Sequence, residues 1–178
     1  MWGPLLSTST YKLSMIKKRP FHITEKMYYD DMEWNLNVYI NCENVKFYEL
    51  NIYNYLIGRA GQSVSSEALI RNHGMHRQMV GNLLKIYQDN FDLLSDGKRK
   101  LIEEKIVKKM VQTHYNLLYD LVKNKDSFVA FDSIVKQYPY FYNNPEIAGR
   151  KTKFLRLTKG RFLFLQDVIA NLRKIRPR

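Results

Sequence analysis

Two blocks of this sequence recur in the same order 63 to 65 residues apart, and such a repeat constrains the architecture before any single element is assigned. Residues 56–71 (LIGRAGQSVSSEALIR) lie over 121–136 (LVKNKDSFVAFDSIVK) at an offset of 65. Residues 90–104 (NFDLLSDGKRKLIEE) lie over 153–167 (KFLRLTKGRFLFLQD) at an offset of 63. The pairs Leu56/Leu121, Val64/Val129, Phe91/Phe154, Leu94/Leu157 and Gly97/Gly160 are identical, and Ile70/Val135, Arg71/Lys136 and Lys98/Arg161 keep their character. A two-residue change of offset is absorbed by a loop. The chain therefore reads as two copies of one small unit, a size that suits its 178 residues.

Within the first copy, Phe47, Leu50, Tyr53, Leu56 and Ile57 recur at spacings of three and four, which predicts a helix over 45–59. Gly58 and Gly61 mark its end. Val64 suits a very short strand. Ser65 or Ser66 then stands where an N-cap belongs, ahead of a second helix through Ala68, Leu69 and Ile70 that Gly74 ends. A third helix is expected from about Met75 to Asn90, with Met79, Leu83, Ile86 and Tyr87 inward. Asp96-Gly97 between apolar runs signals a type I′ hairpin. The second copy reads as a long helix from Glu103 to Lys123, a short strand Phe128–Ala130, a helix over 131–137 and a third helix disturbed by Pro139 and Pro145. A hairpin of Phe154–Thr158 and Arg161–Leu165, turning at Lys159-Gly160, precedes a last helix Gln166–Lys174. Upstream, Trp34, Leu36, Val38 and Ile40 alternate strictly, as one strand would, either packed on the first unit or with an edge left for pairing. The expected class is mainly α with short β-hairpins (α+β), built as two tandem winged-helix-like units. The expected divisions are a flexible basic N-terminus (1–24), a strand-like extension (25–44), the first unit (45–105), the second, basic unit (106–174) and a tail (175–178).

The blocks NLLKIYQDNFDLLSDGKRKLI and KFLRLTKGRFLFL, with the long helix between the copies, carry a resemblance. Their order resembles winged-helix modules, in particular the LOTUS (OST-HTH) domains found in tandem in RNA-regulatory proteins, over about residues 46–174. The resemblance implies a recognition helix ahead of a short, polar-tipped wing. It also implies binding of RNA, or of a helicase partner, without catalysis.

Charge sharpens the reading. Residues 1–45 hold five Lys/Arg and five Asp/Glu, residues 46–105 nine and seven, and residues 106–178 fifteen and five. From Arg150 to Arg178 ten basic residues meet one acid, Asp167. Charge so concentrated attracts polyanions. The second hairpin would carry Arg150, Lys151, Lys153, Arg156, Lys159 and Arg161, and the last helix Arg173 and Lys174. These cations are expected to contact phosphates. Phe154, Phe162 and Phe164 interleave with them. Strand alternation places Phe154, Arg156 and Thr158 on one face and Leu155 and Leu157 on the other; one face must be core, so most of these aromatics are expected as buried packing, with Phe162 the candidate for stacking on a base. In the first copy, His76, Arg77 and Lys85 on the third helix and Lys98, Arg99 and Lys100 at the wing occupy the places where winged helices touch nucleic acid. Asp89, Asp92 and Asp96 beside them make that copy a poorer polyanion site and suit contact with a protein.

Several classes are disfavoured. No apolar run approaches the ~18–20 residues of a membrane helix. The single Cys42 excludes an intrachain disulfide and a cysteine-based zinc site, and fits a reducing compartment. His73 and His76 lack a third metal ligand nearby, and Asp30, Asp31 and Glu33 read as a solvated turn or a partner contact. No Gly-rich phosphate loop, HExxH, GxSxG or CxxC occurs. The expectation is a non-enzymatic adaptor that binds nucleic acid, RNA ahead of DNA, with no metal, cofactor, membrane or small-molecule substrate. Its expected place is intracellular, in cytoplasm or nucleus. The acid-free residues 1–24, with Lys12, Lys17, Lys18 and Arg19, keep a mitochondrial address open. The rival readings are a scaffold that docks a helicase or other partner, and a basic component of a mitochondrial ribonucleoprotein.

Overall fold

In the computed structural model the described residues are 9–46, 48–54, 56, 62 and 65–163, and every regular element among them is helical. The chain divides into two units, Met1–Met110 and Val111–Arg178. The first holds α1 (Leu13–Lys18), α2 (Asp30–Asn41), α3 (Ser66–Arg71), α4 (His73–Asp89), a 3₁₀ turn (Phe91–Leu93), α5 (Asp96–Ile102) and a π-helical turn (Glu103–Val107). The division falls within α6 (Lys108–Leu117). A second π-helical turn (Leu118–Val122), α7 (Lys125–Lys136), α8 (Pro139–Tyr142) and α9 (Arg150–Leu157) follow. The expected α+β class with two winged-helix hairpins is thus replaced by a helical fold.

The segment expected as a strand is α2. Its alternating Trp34, Leu36, Val38 and Ile40 mislead because the buried stripe includes polar residues: Glu33, Leu36, Asn37 and Ile40 fall at i, i+3, i+4 and i+7, and all are buried. The polar members are hydrogen-bonded, which makes their burial tolerable. The Glu33 carboxylate accepts from the Thr24 backbone N–H (3.1 Å) and from Asn82 Nδ2 (2.6 Å), and Asn37 Nδ2 donates to the Glu33 carbonyl (2.9 Å). Asp30, Asp31 and Glu33 occupy the first turn of α2, where the helix dipole favours negative charge. Against α2 packs α4, which supplies Met79, Val80, Leu83, Leu84 and Tyr87 to the core. This helix runs two residues ahead of its expected start, and Asn72 rather than Gly74 separates it from α3. Ser65 caps α3 as expected, accepting from the Ala68 N–H at 3.2 Å.

Both hairpin signals are helix ends. Gly97 lies in the first turn of α5 without a positive φ, and Ser95 takes the extended N-cap conformation. Gly160 lies beyond the other end of a helix: Lys159 (φ 48°) and Gly160 (φ 69°) are left-handed, and the Gly160 N–H closes on the Leu155 carbonyl at 2.8 Å. That is a Schellman-type C-cap, where glycine adopts positive φ without strain. The glycines paired in the sequence repeat therefore stand at opposite helix ends, and residues 90–104 and 153–163 do not share a fold. Phe128–Ala130 belongs to α7, whose cap Asn124 accepts from the Ser127 N–H at 2.8 Å and whose Phe128, Phe131 and Val135 are buried. Pro139 starts α8 at a position where its missing N–H costs nothing. The expected helix over 45–59 is not formed at any of its described residues, and Tyr48, Leu50, Ile52, Tyr53 and Leu56 are exposed. Val64 and the last helix, Gln166–Lys174, lie outside the described residues.

In the second unit the core is aromatic: Phe131 packs edge-on against His114 (4.2 Å between centroids) and Tyr115 (4.8 Å), with Phe128, Phe141, Leu118, Val135 and Leu155 around them. Each such side chain contributes about 1.5–3 kcal/mol by leaving water.

One buried group in the first unit ties stability to pH. His76 on α4 is only 4% exposed, against the Tyr29 ring at 5.1 Å. Burial lowers its pKa from 6.5 to about 4. The neutral ring is the folded form, so its full contribution is present above pH 6.5 and is lost as pH falls through 4. The shift corresponds to up to about 3 kcal/mol. Urea unfolding at pH 7.5 and pH 4 should show a loss of that order beyond the loss in a His76→Gln variant, which has no imidazole to titrate. Equal losses would show that His76 is charged or solvated in the folded state.

Candidate nucleic-acid interface

Helical period, rather than strand alternation, sorts the basic cluster. On α9, Thr152, Leu155 and Arg156 are spaced to share one face, and they turn inward: Thr152 and Leu155 are buried and the Arg156 side chain is 11% exposed. Arg150, Lys153, Phe154 and Leu157 fall at i, i+3, i+4 and i+7 and are all exposed.

Arg156 is the centre of a closed network. Its Nε donates to Asp132 Oδ1 (2.7 Å), Nη1 to the Tyr142 carbonyl (2.7 Å) and Nη2 to the Tyr115 hydroxyl (3.0 Å). The guanidinium also lies 3.7 Å from the centroid of the Tyr142 ring. Tyr115 in turn donates to Asp132 Oδ1 at 2.6 Å. Burial, reinforced by the neighbouring Asp132 carboxylate, holds the Tyr115 hydroxyl protonated far above the ordinary tyrosine range. The planar fork of an arginine can serve three acceptors and a ring at once. Arg156, expected at the surface, is a structural pin joining α6, α7, α8 and α9.

The other cations remain outside. Arg150, Lys151, Lys153, Lys159 and Arg161 are exposed. Lys151 Nζ sits 4.2 Å from the Tyr119 ring centroid, a cation–π contact that leaves its charge in place. Among the described residues, Arg150, Lys153, Lys159 and Arg161 have no carboxylate within salt-bridge range. The first turn of α9 contains no acid and three of these cations, the opposite of what the helix dipole favours. An anion placed there relieves both the dipole mismatch and the mutual repulsion. Phe154 and Phe162 form an exposed ring pair, with centroids 5.9 Å apart and planes inclined by 34°. Leu157 beside them is 85% exposed. Strand alternation puts Leu157 opposite Phe154, and nothing in the local sequence marks Tyr119 as the partner of Lys151. The helical spacing of RKTKFLRL was the signal that finds Leu157.

The first unit's candidates do different work. Lys98 Nζ donates to the Ile40 carbonyl at 3.1 Å, tying α5 to the end of α2. Arg99 lies 4.1 Å from the Phe91 ring centroid, donates to the Phe91 carbonyl (3.2 Å) and approaches Asp96 (3.4 Å). Lys85 pairs with Asp89 one turn on at 2.6 Å, and Arg77 is half-buried on α4. Phe164, Arg173 and Lys174 lie outside the described residues. No cluster of three or more potential metal ligands occurs among the described residues. No family model and no curated protein matches this sequence, and no solved structure matches the chain.

The two kinds of cation should separate in unfolding experiments. Asp132→Ala leaves a largely enclosed guanidinium without its carboxylate and should cost up to about 3 kcal/mol. Lys153→Gln or Arg161→Gln should change stability by less than about 0.5 kcal/mol. Comparable losses for both kinds would show that Arg156 is not the structural pin.

Proposed function

We propose that this chain binds nucleic acid without catalysing a reaction, gripping phosphates with the outward face of α9 and the turn that follows it. The observation that carries this reading is the set of exposed cations at Arg150, Lys151, Lys153, Lys159 and Arg161, four of them without a neutralising carboxylate among the described residues. Phosphates neutralise such charges and release condensed counterions, so binding weakens steeply with salt. RNA is the expected polymer, because exposed aromatics beside cations suit its unpaired bases. A rival reading, docking of a protein, is favoured by the exposed Tyr48, Leu50, Ile52, Tyr53 and Leu56 of the first unit.

Fluorescence anisotropy of a labelled single-stranded RNA, titrated at several salt concentrations, tests the proposal. The intact protein is compared with a variant carrying Gln at 150, 151, 153, 159 and 161 and keeping Arg156. Each lost phosphate contact removes about 0.7 from the slope of log K against log salt, so the variant should flatten it by about 3.5. An unchanged slope moves the interface elsewhere. Binding by the intact protein no tighter than about 100 µM near physiological salt, the level of non-specific contacts, overturns the proposal in favour of protein docking.

A further inference from the structure

Phosphate gripping does not account for the apolar half of the same face. Phe154 is 51% exposed, Phe162 40% and Leu157 85%. Single exposed apolar side chains are ordinary, but here two rings meet, and Leu157 follows Phe154 at i+3 on the same helix. The ring centroids lie 5.9 Å apart and the planes are inclined by 34°, and both rings keep a large part of their surface in solvent. From these exposures and full side-chain areas of about 200 Å², the patch offers roughly 350 Å². A stable protein–protein interface needs about 800 Å² from each partner. The patch is thus too small to hold a folded protein by burial alone. It suits a small flat aromatic group, and exposed cations adjoin both rings along the chain: Lys153 precedes Phe154 on α9, one turn after Arg150, and Arg161 precedes Phe162 in the turn that also holds Lys159. A ligand that is flat and aromatic at its centre and anionic at its edges is a nucleotide whose base is not paired.

We propose that Phe154 and Phe162, with Leu157 beside them, form a stacking platform for unpaired bases, so that the site selects single-stranded over duplex nucleic acid. This rests on the phosphate-gripping reading above and adds selectivity to it. In a duplex the base faces are already stacked and the backbone alone reaches the cations. In a single strand the bases are free to lie on the rings while the flanking phosphates meet Lys153 and Arg161. Stacking on an aromatic side chain is sequence-tolerant, because every base has a π-face. The platform therefore discriminates strandedness rather than sequence.

The test uses the full chain with a Phe154→Ala/Phe162→Ala double variant, measured against single-stranded RNA and duplex RNA of equal length. Both rings are partly exposed, and thermal unfolding checks that the variant is folded. Loss of two stacks, at about 1 kcal/mol or more each, predicts at least roughly 30-fold weaker single-strand binding. Duplex affinity and the salt slope should not change. A Phe162→Trp variant keeps the platform and adds a reporter: single-stranded RNA should quench its fluorescence beyond any change at the two native tryptophans, and duplex RNA should not. If the alanine variant binds single strands as well as the intact protein while the five-Gln variant loses its salt slope, the platform is overturned and phosphate gripping stands. If the five-Gln variant is also unaffected, both fall. Vesicles of phosphatidylserine and phosphatidylcholine form the last arm. Loss of vesicle binding in the alanine variant with single-strand binding intact would assign the patch to an anionic lipid surface and overturn the inference.

Discussion

A guanidinium taken out of water must find a carboxylate and acceptors for its remaining N–H groups, or the fold loses several kcal/mol. In the second unit this demand falls on Arg156. It is met by four elements at once: Tyr115 from α6, Asp132 from α7, Tyr142 from α8 and Arg156 itself from α9. The network allows little freedom in how α9 rotates about its axis. Once Arg156 points inward, the 3.6-residue period sends Arg150, Lys153, Phe154 and Leu157 outward. The candidate interface is in this sense a by-product of the interior.

Elements with a complete local signal were legible in the sequence. Ser65 announces α3 and its side chain caps it, and the spacing of Met79, Leu83 and Tyr87 finds α4 to within two residues at its start. Elements whose buried stripe contains polar residues were not. Glu33 and Asn37 look like surface residues until Asn82 and the Thr24 amide are brought to them, and those partners lie far away in sequence. The Asp-Gly and Lys-Gly pairs failed for another reason. A glycine after a polar residue serves a hairpin turn and a helix end equally well, and only the surrounding period decides between them. Reading RKTKFLRL in steps of two placed Arg156 beside Phe154. Reading it in steps of 3.6 puts Arg156 inside. The cations of the site were visible as composition, but the one that does not belong to it was visible only through the correct period.

Counting basic residues is therefore a poor guide to where a polyanion would bind. Lys98 and Arg99 in the first unit are occupied by the Ile40 and Phe91 carbonyls and by the Phe91 ring, and Lys85 by Asp89. What sets the outward face of α9 apart is that four of its neighbouring charges have no such occupation among the described residues, and that apolar rings adjoin them.

The geometry around Arg156 also bears on how this sequence is free to drift. At 150, 151, 153, 159 and 161 the side chains are exposed, and the proposed phosphate grip would ask of them only a positive charge on a flexible stem, which lysine and arginine supply alike. At 156 three N–H groups leave one plane in three directions, toward a carboxylate, a carbonyl and a hydroxyl. An ammonium cannot reproduce that fork. Among descendants of this gene, five basic positions should alternate between the two codon families while the sixth stays fixed as arginine, and Asp132 and Tyr115 should change only together with it.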